Sequence, residues 1–195
     1  ASLDSQYITT TGAGAPTTYV SLGNQANPFS NWLVWAANAS DAELPAVHSL
    51  SLGAPEDAVG DALIGRMNTE MAALGARGVT VVFASGDNGY QSEMNFGAAS
   101  PYVLAVGGVF NGDLRMSSLE ADYITCGGFA ASKLNKAQPW QAAAIASYAK
   151  HKDGGSARVV KGQRAVPDVS AYDDSIEYVQ GGSDGQISGT SAAAP

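Results

Sequence analysis

Three short apolar runs bounded by glycine constrain most strongly what this chain can fold into. They lie at residues 47–52, 79–84 and 103–109. Such runs are typical of strands that are buried on both faces of a parallel sheet. Residues 56–76, between the first two runs, carry apolar side chains at helical spacing and precede Gly78, a stop signal. The sequence therefore predicts a βαβ unit within an α/β domain that has helices on both faces of its sheet.

Further segments extend this pattern along the chain. Residues 29–37 and 139–150 are predicted helices, and residues 176–180 are a predicted strand that enters a tight turn at two glycines. The 195 residues are enough for one sizeable core and contain no internal repeat. Because both ends fall where an element begins, we expect residues 1–195 to be a single partial domain, truncated at both ends.

The charge and apolar pattern exclude two classes of partner. Ten Lys and Arg against eighteen Asp and Glu leave a net charge of -8, which repels phosphate-rich ligands. No stretch approaches the roughly 20 apolar residues of a membrane span. We therefore expect neither nucleic-acid binding nor membrane insertion.

Two sequence features bear on the compartment without deciding it. The single cysteine, Cys126, cannot form an internal disulfide and is interpreted as a small semi-buried side chain. Asn38 begins an Asn-Ala-Ser triplet in a polar stretch, which is an acceptor pattern for N-glycosylation and predicts a surface position. On its own this triplet leaves the secretory route open.

Polar residues follow the predicted strands where chemistry is expected. Ligands of parallel sheets gather beyond the carboxyl ends of the strands. The segments at these ends are residues 51–53 (SLG), 85–89 (SGDNG) and 107–108 (GG). Glycine there allows a substrate backbone to approach closely. Ordinary turn chemistry would also explain any one of these segments taken alone.

The most specific signal is residues 188–195, SGTSAAAP. A serine in Gly-Thr-Ser followed by small residues can sit in the first turn of a helix, where its Oγ is exposed and amide groups favour an anion. The pattern resembles the nucleophile motif of subtilisin-like peptidases, with Ser191 as nucleophile. Neither histidine fits as its base, since His48 lies within an apolar strand and His151 lies between lysines. A different base is therefore expected.

Ordered motifs along nearly the whole chain resemble the sedolisins, the serine-carboxyl peptidases. They are residues 1–7 (ASLDSQY), 51–53 (SLG), 83–89 (FASGDNG), 100–108 (SPYVLAVGG), 164–171 (RAVPDVSA) and 188–195 (SGTSAAAP). The chain is most similar to the lysosomal tripeptidyl-peptidase branch. The resemblance implies a subtilisin-like three-layer fold, in which helices flank a mostly parallel central sheet. It also implies peptide hydrolysis at acidic pH, of tripeptidyl-peptidase or endopeptidase type.

The resemblance also assigns roles by position. Ser191 would attack the scissile carbonyl, Asp87 would line the oxyanion hole, and Asp4 would orient a general-base glutamate. In the family's pattern that glutamate stands just before Ala1, on the same helix face as Asp4, so we expect the chain alone to be inactive. The implied substrate-binding residues are Ser51, Leu52, Gly53, Gly127 and Gly128.

Partners and cofactors follow from the same resemblance. We expect peptide or protein substrates, a removable propeptide in the full-length protein, and an extracellular or lysosomal location. The family's calcium ligands would lie downstream of Pro195, and no metal ligand is expected within residues 1–195. Asp168 and the pair Asp173 and Asp174 have the chemistry of ligands, but the segment around Asp168 is interpreted as structural.

Two alternatives and one finer hypothesis stay open. The protein could be a histidine-dependent subtilisin relative, or a non-catalytic glycoprotein that keeps the peptidase fold as a binding module. Glu56 and Asp57, shortly after residues 51–53, could hold the α-ammonium group of a peptide and so favour tripeptidyl-peptidase activity. They could equally serve only the N-terminus of the following helix, where negative charge is stabilising.

Overall fold

The computed structural model describes residues 2–21, 28–91, 94–110, 120–151 and 155–195. The helices are α1 (Ser2–Thr11), α2 (Pro28–Asn38), α3 (Glu56–Val59), α4 (Asp61–Ala76), α5 (Phe96–Ala99), α6 (Ala142–Tyr148), α7 (Gly155–Arg158) and α8 (Thr190–Ala193). The strands are β1 (Val47–Leu50), β2 (Thr80–Ala84), β3 (Tyr90–Gln91), β4 (Leu104–Phe110), β5 (Glu120–Ala121), β6 (Gly127–Phe129), β7 (Ala165–Val166), β8 (Val169–Tyr172), β9 (Ile176–Gln180) and β10 (Ser183–Ile187).

The central sheet is mostly parallel, as the apolar runs predict. Strands β1, β2, β4 and β8 lie side by side in that order, all parallel, and β5 pairs antiparallel with the end of β4. The three predicted strands are therefore neighbours, and their carboxyl ends open on one edge. A smaller sheet has the order β3-β6-β7, and β9 and β10 form an antiparallel hairpin.

The main core lies between one face of this sheet and helices α2 and α4. Along β2, Val81 and Phe83 belong to that core, whereas Val82 and Ala84 are buried on the opposite face because strand side chains alternate. Helix α8 packs on β2, β4 and β8, and its buried Ala192 lies outside the main core. Helices thus flank the sheet on both faces, which confirms the predicted α/β architecture.

Two predicted helices differ from the structure. The segment predicted as one helix at 56–76 is split at Gly60, whose φ of 78° lies in the left-handed region and interrupts the helix. The helix predicted at 139–150 begins as a 3-10 turn at Pro139–Gln141 and becomes α6 only afterwards. Among the described residues, no helix has the length and apolar character needed to cross a bilayer.

A buried ion pair fastens the segment after β6 to the central sheet. Arg164 is fully buried, and its guanidinium donates to Asp168 Oδ1 at 2.9 Å and to the Val103 carbonyl at 3.2 Å. Asp168 Oδ2 also accepts a hydrogen bond from the Ala105 amide at 2.8 Å. These contacts support the interpretation of Asp168 as structural, because its carboxylate is already occupied on both oxygens.

We expect Asp168→Ala to lower the free energy of unfolding by about 3–5 kcal/mol, because it leaves the buried Arg164 guanidinium without its counter-charge. Asp41→Ala is the control, since Asp41 pairs with Arg77 at 2.8 Å while its side chain is 85% exposed. An exposed pair contributes about 0–1 kcal/mol. Urea unfolding of both variants measures the difference. Equal losses in the two variants would show that the buried pair is not what secures this segment.

Candidate active site

A cleft of ≈ 280 Å³ opens beyond the carboxyl ends of β1 and β2. Its walls come from residues 51–53 after β1, from the turn after β2 and from the start of α8, with Asn95 on the remaining side. Ser51, Leu52, Gly53, Asp87 and Ser191 all line it. Residues singled out from separate motifs therefore lie together in one cleft.

Ser191 lies in the first turn of α8, half-buried at the cleft. The turn before it requires glycine, because Gly189 has a φ of 153° and a Cβ at this position would lie 3.1 Å from Asp87 Oδ2. The Gly189 carbonyl accepts from the Ala192 amide at 2.8 Å, and the Gly189 amide donates to the Asp173 carbonyl at 3.0 Å. The serine is thus presented by a turn that is hydrogen-bonded on both sides.

Thr190 joins the serine turn to the turn after β2. It is fully buried, and both its backbone amide and its Oγ1 donate to Asp87 Oδ1 at 2.8 Å. Its Oγ1 also accepts from the Gly86 amide at 3.0 Å. Oδ1 of Asp87 is held in this way, while no described residue bonds Oδ2. Oδ2 of Asp87 is therefore available for a further hydrogen bond.

Asp4 lies on α1, which packs against α8 and β9, and it contacts the cleft through Ser51. Its Oδ1 accepts a hydrogen bond from Ser51 Oγ at 3.0 Å. The structure thus places Asp4 next to a residue of the cleft wall, within the predicted constellation. The wall itself includes no glutamate among the described residues.

Asn95 lines the cleft without having been marked by any sequence motif. Its Nδ2 donates to the Ser85 carbonyl at 2.9 Å, and its amide group fills the space left by two glycines. A Cβ at Gly53 would lie 2.7 Å from Asn95 Cγ, and a Cβ at Gly86 would overlap Asn95 Nδ2. The sequence indicates this position only indirectly, because glycine at the ends of both strands leaves room for the side chain of another residue.

Gly127 and Gly128 do not meet the other predicted substrate-binding residues. They lie in β6, between β3 on one side and β7 on the other, and neither is among the described residues that line the cleft. Gly127 also donates its amide to the Gly89 carbonyl at 3.3 Å. Their backbone groups serve the small sheet, so this geometry does not support the prediction that they bind substrate.

The hypothesis that Glu56 holds a peptide ammonium group is wrong. Glu56 is only 2% exposed, and its carboxylate accepts from the Ala131 amide at 2.6 Å and from Asn135 Nδ2 at 2.7 Å. Burial raises the pKa of Glu56, and these hydrogen bonds oppose that rise. The next residue, Asp57, is exposed. Glu56 links α3 to the segment after β6 through its hydrogen bonds to Ala131 and Asn135.

Both histidines lie away from the cleft wall. His48 is buried in β1, where its Nδ1 accepts from Trp32 Nε1 at 3.2 Å and burial lowers its pKa. His151 is exposed after α6. This placement disfavours the histidine-dependent alternative, because a general base must reach the nucleophile.

Two further predictions concern metals and glycans. Within the described ranges, no group of three or more His, Cys, Asp or Glu side chains is arranged to hold a metal ion. Asn38 is exposed, but it is the last residue of α2 rather than part of a loop.

Comparisons with known proteins agree with this geometry. The sequence model of the subtilase family matches residues 17–195. Tripeptidyl-peptidase 1 from Canis lupus familiaris and that from Homo sapiens are each 37% identical to the chain over 212 aligned residues. These alignments cover all of this chain, which spans 37% of the length of each relative.

Solved structures show the same fold. A Pseudomonas sedolisin, a serine-carboxyl proteinase in complex with pseudo-iodotyrostatin, superposes with a TM-score of 0.69 at 24% identity, covering 99% of this chain and 57% of that one. Sphericase superposes with a TM-score of 0.55 at 18% identity, covering 85% of this chain and 44% of that one. The predicted resemblance and fold are thereby confirmed.

We expect Glu56→Ala to destabilise the fold by about 1–3 kcal/mol, because it leaves the Ala131 amide and the buried Asn135 amide without their acceptor. Asp57→Ala is the matched control, since it removes an exposed carboxylate one residue away and should cost less than about 1 kcal/mol. Urea unfolding midpoints compare the two. A larger loss in the Asp57 variant would contradict the structural role of Glu56.

Proposed function

Because the chain belongs to the subtilase family, we propose that it forms the nucleophile-bearing part of an acid-acting serine peptidase of the sedolisin type. The observation that supports this most strongly is the cleft shared by Ser191 and Asp87. A hydroxyl nucleophile and a carboxyl group that can donate to an oxyanion are the two parts that acyl transfer needs at one place.

In the proposed reaction, Ser191 Oγ attacks the carbonyl carbon of the scissile peptide bond. Negative charge then develops on the carbonyl oxygen, and Asp87 Oδ2 donates a hydrogen bond to it while Thr190 holds Oδ1. A carboxyl group can donate only while it is protonated, so this arrangement favours acidic pH. The geometry does not require a histidine, which agrees with the positions of both histidines.

Asp4 serves in the proposal as the residue that orients the general base. Its Oδ1 accepts a hydrogen bond at 3.0 Å from Oγ of Ser51, a residue of the cleft wall. The base itself is the glutamate that the family pattern places four residues before Asp4 on the same helix face. It would take the proton from Ser191 Oγ and later return it to the leaving amine.

Residues 51–53 are the proposed binding site for the backbone of the substrate peptide. They continue β1, which is an edge strand of the described central sheet, so their outer side has no strand partner in the described sheet. An extended peptide can add to such an edge through main-chain hydrogen bonds. Asn95 then lies behind Gly53, at the base of the cleft.

The name of the relative that is 37% identical, tripeptidyl-peptidase 1, favours removal of tripeptides from free N-termini over internal cleavage. We extend the proposal to an extracellular or lysosomal location, a removable propeptide and glycosylation at the exposed Asn38. Calcium binding stays a prediction, with its ligands expected downstream of Pro195 as the family resemblance implies.

Ser191→Ala in the full-length, processed protein tests the proposal. We expect peptide hydrolysis to fall by about 10³-fold or more, since the covalent nucleophile is removed, while the unfolding midpoint stays close to that of the wild type. Ser188→Ala is the control: Ser188 is an exposed serine in the same segment whose Oγ donates to Asp174 Oδ1 at 2.8 Å. Its activity should persist. A Ser191 variant that retains turnover would refute the mechanism.

A further inference from the structure

A fully buried aspartate lies directly beneath the turn that carries Ser191. Asp173 follows β8 and exposes 0% of its surface. Its amide donates to the Val109 carbonyl at 3.2 Å, and its carbonyl accepts from the Gly189 amide at 3.0 Å. Because Gly189 directly precedes Thr190 and Ser191, a shift of Asp173 would be passed to the nucleophile through one hydrogen bond.

The carboxyl group of Asp173 has no hydrogen-bond donor among the described residues. Both oxygens are buried and unpaired. They lie against Gly108, where a Cβ would overlap Asp173 Oδ2, so glycine at this position makes room for the carboxyl group. A buried carboxylate without a partner is strongly disfavoured relative to its neutral form.

The charged groups that face Asp173 are all acidic. They are Asp122, Asp87 and Asp174, and no cation among the described residues opposes them. Burial is the largest cause that raises the pKa of Asp173 to about 7, and the neighbouring carboxylates add to it. Asp174 differs from Asp173 in being tied to Ser188 Oγ at 2.8 Å.

Asp122 is the neighbouring carboxylate that can accept a hydrogen bond from a protonated Asp173. It is itself buried, its Oδ1 accepts from the Ile124 amide at 3.0 Å, and its amide donates to the Gly108 carbonyl at 3.2 Å. After burial, Asp122 is the neighbour that raises the pKa of Asp173 most. As carboxylates neither can donate, so a hydrogen bond between them forms only when one of them is protonated.

We propose that Asp173 keeps a proton that it shares with Asp122 through a hydrogen bond beneath the nucleophile turn, and that Asp173 is a positioning residue which holds Gly189, Thr190 and Ser191 in place only while that proton is bound. When it is lost, two adjacent buried carboxylates repel each other and Asp87, and Asp173 is driven from its place against Gly108. The Gly189 amide then loses its acceptor. The inference rests on the proposed function.

The sign of the stability effect follows from the raised pKa. An aspartate in the unfolded chain has a pKa of about 3.9, so between about pH 4 and 7 the folded chain binds more protons than the unfolded chain. The stabilisation is therefore fully present below about pH 4 and is lost as pH rises through 7. The unfolding temperature should decline over this range.

The test uses the full-length, processed protein as wild type, Asp173→Asn and Asp174→Asn. The amide of Asp173→Asn stays neutral at every pH and can still donate to Asp122, so it imitates the protonated acid. Tm is measured from pH 4 to 8, and kcat and KM are measured with a tripeptidyl substrate over the same range. We expect Asp173→Asn to flatten the decline of Tm with pH. Its kcat at pH 5 should stay within about threefold of the wild-type value, and the fall of kcat at alkaline pH should begin about one pH unit higher. KM should stay unchanged, and Asp174→Asn should follow the wild type in both curves.

Each result decides one part of the proposal. A Tm curve of Asp173→Asn parallel to that of the wild type would overturn the shared proton. A flattened Tm curve with an unmoved kcat profile would overturn the positioning role alone. If Asp173→Asn does not fold, Asp122→Asn removes the other partner and should flatten the Tm decline in the same way. A wild type that hydrolyses no peptide would refute the proposed function and the positioning role with it, while the Tm curves would still decide the shared proton.

Discussion

The hydrogen bonds of Thr190 join two parts of the chain that are 103 residues apart, and the cleft depends on them. The parallel order of β1, β2 and β4 brings their carboxyl ends to one edge, but it leaves the turns there free to point in many directions. Thr190 removes that freedom by binding Asp87 Oδ1 twice and accepting from the Gly86 amide. Asp87, the proposed oxyanion residue, is therefore held by the residue next to Ser191, the proposed nucleophile.

The site is built from carboxyl groups rather than from a histidine pair, and this links activity to acid in several places. Asp87 lines the cleft, Asp4 accepts a hydrogen bond from Ser51, and Asp173 lies buried and unpaired beneath the serine turn. A cluster of this kind repels itself once all its members ionise. This repulsion is the physical basis for the proposal that the protein acts at acidic pH.

Sequence patterns predicted the sheet because its signals are local: residues 176–180 match β9, and the three apolar runs match parallel neighbours. The motif around Ser191 and the strand-end Asp87 were also readable, since each needs glycine at fixed offsets. What could not be read depends on tertiary contacts. From sequence, Glu56 is a charge at the start of a helix, and its burial against Asn135 depends on a segment 79 residues away. Asn95 enters the cleft because two distant glycines leave space for its side chain.

The most direct test of this account compares Thr190→Val with Thr190→Ser in the full-length, processed protein. Valine keeps the shape of threonine but deletes the hydroxyl that links Gly86 to Asp87, whereas serine restores it. The account predicts that kcat for peptide hydrolysis falls by about 10²-fold in the valine variant, as when an oxyanion donor is lost, and stays within a few fold in the serine variant. Unfolding midpoints verify that both variants are folded. Wild-type kcat in a folded valine variant would contradict the claim that Thr190 holds the catalytic aspartate in place.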